Sequence, residues 1–89
     1  MTGIEVARAV VTEKQCHLAR PRQEQATGEP IQYDCKPTFT GSHKGWFYVD
    51  LFSASAITQI YDAINETNRE KYSRLPLPKM AQIAFQLSA

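Results

Sequence analysis

The feature that most constrains this chain is a change of hydrophobic period between Trp46 and Ile64. Trp-Phe-Tyr-Val-Asp-Leu-Phe (46–52) carries a two-residue apolar rhythm, whereas Ser-Ala-Ser-Ala-Ile-Thr-Gln-Ile-Tyr-Asp-Ala-Ile (53–64) carries a helical one. Such a switch predicts a strand feeding a helix. Ser53 is the expected cap, because its hydroxyl can accept from a first-turn N–H, and Phe52 and Ile57 then fall on the positions of a hydrophobic staple. Ile57, Ile60, Tyr61 and Ile64 follow at i, i+3, i+4 and i+7, a stripe that must be buried, and the strand's own apolar face is the expected cover.

Upstream, the alternation from Ile31 to Thr40 sets Ile31, Tyr33, Cys35, Pro37 and Phe39 on one side and Gln32, Asp34, Lys36, Thr38 and Thr40 on the other, the pattern of a half-buried strand. Gly41-Ser-His-Lys-Gly45 predicts a hairpin loop joining it to the next strand. Continued through the pair, a simple register puts Thr40 opposite Trp46, Phe39 opposite Phe47, Pro37 opposite Val49 and Cys35 opposite Leu51. It also sets Lys36 against Asp50, a cross-strand ion pair. Pro37 has no N–H for a ladder, which places this strand at a sheet edge.

The ends are less determined. Thr2 and Glu5 match a capping box, yet Ile4, Val6 and Val10 also fit a strand face; the β-branched run Val10-Val11-Thr12 tips residues 2–18 toward strand. Residues 19–30 are polar, hold two prolines and a glycine, and read as a flexible loop. After Ile64, Thr67 and Glu70 suggest a second capping box with a fresh start near Asn68, and Glu70 with Arg74 supports helix at i, i+4. Leu75-Pro-Leu-Pro78 ends that segment, and Pro78 suits the first position of another helix bearing Met80, Ala81, Ala84 and Leu87. The expected fold is α+β in a single domain: an antiparallel hairpin over 31–52, with a possible third N-terminal strand, packed against two C-terminal helices.

Eighty-nine residues support one thin core. A formal charge of +1 gives no net field for drawing in nucleic acid and none for mimicking it. Arg8 interrupts the N-terminal apolar run, so it does not read as a secretory signal, and no stretch is long enough to cross a membrane. Cys16 and Cys35 are too few for a disulfide framework, which points to free thiols in a reducing, cytoplasmic setting. Cys16, His17, Cys35 and His43 form a zinc ligand set on paper only, since Cys16 and His17 are adjacent and no C-x-x-C exists; no metal, cofactor or small-molecule substrate is expected. No nucleophile with a base and no desolvated carboxylate pair can be assigned, and so small a core leaves little room for a pocket, so the chain does not read as an enzyme.

Two binding surfaces remain. Trp46, Tyr48 and Phe52 fall among Lys36, Asp50 and threonines on the outer side of the expected hairpin, and large aromatics among polar groups suit a protein interface, with a partner or a second copy of the chain. That face is either open or covered by the segment 4–12. Lys44, Arg69, Lys71, Arg74 and Lys79 offer a second possibility, phosphate contacts combined with stacking on Trp46 and Tyr48, although Asp62, Glu66 and Glu70 interleave the basic segment. The sequence therefore predicts a small non-enzymatic binding protein, an adaptor, regulator or inhibitor that docks on a protein partner or forms a homodimer, with a nucleic-acid accessory protein as the alternative.

Overall fold

A computed structural model describes residues 1–13, 17–22, 28–36 and 44–88. The N-terminus is a helix, α1 (Gly3–Glu13), which corrects the strand expected over 2–18. Thr2 N–H donates to Glu5 Oε1 at 2.8 Å and Glu5 N–H to Thr2 Oγ1 at 3.3 Å, so the capping box is closed from both sides. Ile4, Ala7 and Val10, with Val6, then bury one helical face. That burial and the paired cap outweigh the small β preference of Val10, Val11 and Thr12, which occupy the last turn.

Three strands form an antiparallel sheet, β1 (His17–Pro21), β2 (Tyr33–Lys36) and β3 (Phe47–Val49). The third strand exists, but it follows α1 and lies in the middle, in the order β2-β1-β3. The hairpin register is corrected accordingly. Leu18 stands opposite both Lys36 and Tyr48, and Ala19 opposite both Cys35 and Phe47, so β2 and β3 are parallel edges that never meet. Arg22 N–H donates to the Gln32 carbonyl at 3.0 Å, which assigns the even residues of β1 to the β2 ladder and the odd ones to the β3 ladder. Pro21 is odd, and its missing N–H falls beyond Phe47, where the β3 ladder has ended; a proline is thereby tolerated in a central strand. The loop expected over 19–30 thus begins as strand.

β2 lies at an edge, as expected, and the N-terminus covers it: Tyr33 N–H donates to the Met1 carbonyl at 2.6 Å and Thr2 bridges Gln32. The expected Gly41–Gly45 loop tip and the matches of Pro37, Phe39 and Thr40 fall wholly or partly outside the described residues. The face assignment survives the change of partners, with Tyr33, Cys35, Phe47 and Val49 toward the core and Asp34, Lys36 and Tyr48 away from it.

The C-terminal half holds three helices, α2 (Leu51–Ala63), α3 (Glu66–Ser73) and α4 (Leu77–Ser88). The α2 cap is Asp50, whose Oδ1 accepts from Ser53 N–H at 2.6 Å; Ser53 itself is inside the helix. A carboxylate at the positive end of a helix is the stronger choice, and it takes Asp50 away from the expected pairing with Lys36. Likewise Asn65, not Thr67, caps α3, accepting from Asn68 N–H at 2.9 Å. α4 is tied down at two points, where Leu77 N–H donates to Tyr33 Oη at 2.9 Å and Tyr72 Oη donates to the Met80 carbonyl at 2.7 Å, both buried. α1 packs on α2 and α2 on α4, and these helices bury the sheet's inner face around Val6, Val10, Tyr33, Ile57 and Met80.

Candidate functional site

The outer sheet face starts from β alternation. Trp46 and Tyr48 project outward while Phe47 turns in to meet the Tyr33 ring edge-on, with centroids 6.1 Å apart. Trp46 is half-buried between two cations: the Arg20 guanidinium lies 4.5 Å and Lys36 Nζ 4.6 Å from the ring centroid. Its negative π faces stabilise both charges. Arg22 Nε reaches Asp34 Oδ1 at 3.0 Å and Arg20 Nη2 reaches Asp34 Oδ2 at 3.5 Å. The hydrogen bond from Arg22, aided by Arg20, holds the Asp34 carboxyl below its ordinary range. Leu18 and Tyr48 form the non-hydrogen-bonded kind of antiparallel pair, in which side chains come closest. Leu18 is buried although it points outward; Tyr48 stays half exposed.

Phe52 was expected on this same face as part of a staple. With Asp50 as the cap it becomes a first-turn residue of α2, 74% exposed, its ring stacked on Phe85 of α4 at a centroid distance of 5.5 Å and an interplanar angle of 17°. Beside this pair runs an apolar groove of about 300 Å³ between β3, α2 and α4, lined by Tyr48, Ser53, Ile57, Pro78 and Ala81 among others. Trp46 and Lys36 are thus in contact, Tyr48 borders the groove, and Phe52 is the chain neighbour of groove-lining Ser53. Phe85 and Arg20 were missed, and Leu51, expected on the inner face opposite Cys35, is instead the exposed first residue of α2. Phe85 lies outside the Met80-Ala81-Ala84-Leu87 stripe, but Leu77, Met80, Ala81, Ile83, Ala84, Phe85 and Leu87 together cover more of α4 than one buried face needs, and that excess was readable.

The expected basic residues are spread over α3, the start of α4 and the turn before β3. Arg69 is half-buried and directed at the end of α2, donating from Nε to the Tyr61 carbonyl at 2.8 Å and from Nη2 to the Asp62 carbonyl at 3.0 Å. Lys71 and Arg74 are exposed on and just after α3, Lys79 is exposed in the first turn of α4, and Lys44 is exposed at the turn before β3. The cations stacked on Trp46 come from the sheet. The segment 4–12, the other candidate cover for the outer face, is part of α1 and packs on the core side.

Cys16, His43 and the His17 side chain lie outside what the structure describes, so the four-ligand set is not assembled in view. Cys35 is half-buried, and burial, with the nearby Glu13 charge, pushes its thiol up. Among the described residues no group of three His, Cys, Asp or Glu side chains is placed to hold a metal ion, and no helix is long and apolar enough to cross a membrane. No family model, no curated protein and no solved structure matches the chain.

Proposed function

We propose that this chain is a non-enzymatic binding protein, of adaptor, regulator or inhibitor type, that docks on a protein through the apolar surface formed by Tyr48, Phe52, Phe85 and the adjoining groove. The observation that carries this reading is Phe52, three-quarters exposed yet stacked on a second aromatic beside an apolar groove. A large apolar side chain held in place at the surface is stiff contact area that gains by losing water. Trp46, fixed between Arg20 and Lys36, supplies a polar-aromatic rim, and a cytoplasmic setting accords with the two cysteines.

The second reading, a nucleic-acid accessory protein, draws its support from the sheet rather than from 69–79: Arg20, Arg22 and Lys36 outnumber Asp34 beside Trp46 and Tyr48. One experiment separates the two. Protein recovered from its source cell with bound partners is washed at rising salt, with and without nuclease. Apolar docking holds through salt and nuclease and is lost with Phe52→Ser; phosphate binding collapses with salt and is indifferent to Phe52→Ser.

A further inference from the structure

We infer that the occupant of the Phe52–Phe85 surface is a second copy of this chain, an inference that rests on the docking reading above. Three observations lead to it.

The first is charge. Between the Asp50 cap and Asp62, α2 carries no charged residue, and from Met80 to the end of α4 there is none either. Depletion of charge is the compositional mark of an interface core, and two such uncharged helix surfaces meet with no like-charge penalty. The opposite flank of α4, where Leu87, Ile60, Ile64 and Ile83 form a cleft with Lys71, differs in having a charge in its wall.

The second is shape. Projection and recess lie side by side: Phe52 precedes the groove-lining Ser53, and Phe85 lies one turn beyond the groove-lining Ala81. A two-fold axis beside the groove lets each copy's Phe52 enter the other's recess, the self-complementary arrangement that a symmetric dimer requires.

The third is area. With aromatic side chains of about 200 Å² each, the exposed parts of Phe52 (74%), Tyr48 (50%) and Phe85 (38%) amount to roughly 300 Å² per copy. At the apolar share usual for homodimers, two such patches imply a total interface of about 1,000 Å², the lower limit for specific association. A weak, reversible dimer is what so small an interface fits.

Sedimentation equilibrium of the full chain, loaded from about 1 µM to about 1 mM, tests this. The expected result is a monomer–dimer equilibrium that weakens about tenfold or more in F52S/F85S and is unchanged in L87S, with circular dichroism confirming that both variants fold. A dimer that persists in F52S/F85S, or is lost in L87S, places self-association elsewhere and overturns the inference. A wild type that stays monomeric throughout also overturns it, and the dye 1-anilinonaphthalene-8-sulfonate then separates the two levels: if it binds the wild type and not F52S/F85S, the surface is open to a different protein and the docking reading stands, whereas equal dye signal from both removes that reading as well.

Discussion

Tyr33 links three parts of the molecule through one side chain. Its backbone pairs with Met1, its ring edge meets Phe47, and its phenol oxygen accepts from Leu77 N–H, one of the helix N-terminal donors that no carbonyl of α4 can satisfy. Tyr33→Phe strands that buried donor and should cost about 1–3 kcal/mol, read as a lower denaturation midpoint with little change in m-value. Tyr72 performs the complementary task as a donor to Met80, and burial pushes its phenol up to about 12, while burial also raises Tyr33. The unfolded chain releases these protons near their ordinary value of 10.0 and the folded chain retains them. In that window the unfolded state binds fewer protons, so stability is intact below about pH 10 and falls as pH rises toward about 12. Tyr72→Phe should flatten the fall, measured as urea midpoints across that range; an equally steep loss in the variant would assign it to other groups.

At the scale of elements, α2 shows how far the sequence can be read. The strand-to-helix switch at Trp46–Ile64 was legible because its apolar spacing changes within a few residues, and Ile57 is buried as the stripe requires. The cap was misplaced by three residues, since Ser and Asp are both good caps and only the backbone shows which one has extended dihedrals; Asp50 does, at φ −83° and ψ 164°. Asp50→Ala should cost about 1 kcal/mol and Ser53→Ala much less, a difference that thermal melts of the two variants resolve. α1 was half legible: its capping box is real, and its β-branched last turn pointed the other way. β1 was not legible at all. Five residues, His-Leu-Ala-Arg-Pro, have neither alternation nor β-rich composition, and their strand state comes from the two partners that flank them. The inward faces of Tyr33, Cys35, Phe47 and Val49 and the outward ones of Asp34, Lys36 and Tyr48 were nevertheless read correctly, because face parity depends on a strand's own alternation and not on which neighbour it pairs with.

The whole molecule depends on contacts between distant parts of the chain. Ile57 lies at the centre of the core, 1% exposed, among residues from α1, the sheet and α4. Ile57→Ala should cost about 2–4 kcal/mol, through lost transfer energy and the cavity left behind. A domain of this size has only about 5–15 kcal/mol in total, so the melting temperature should drop clearly; an unmoved midpoint would mean that the helices are not the sheet's main cover. The aromatic surface was legible as residues and not as a place, because Phe52 and Phe85 are remote in sequence and meet only once α2 and α4 have packed.

The first helix touches the last. A β-carbon added at Gly3 would stand 3.0 Å from the Met80 side chain, so the first residue of α1 closes against the start of α4 with no space left. β1, meanwhile, cannot gain its second ladder until Val49 is available. On a ribosome, where residues emerge at about 5–20 per second, α1 and β1 would therefore wait several seconds for their partners, with Gly3 uncovered until the start of α4 has emerged. A nascent chain stalled before Leu77 should therefore be readily cut by protease, whereas the chain that includes α4 resists.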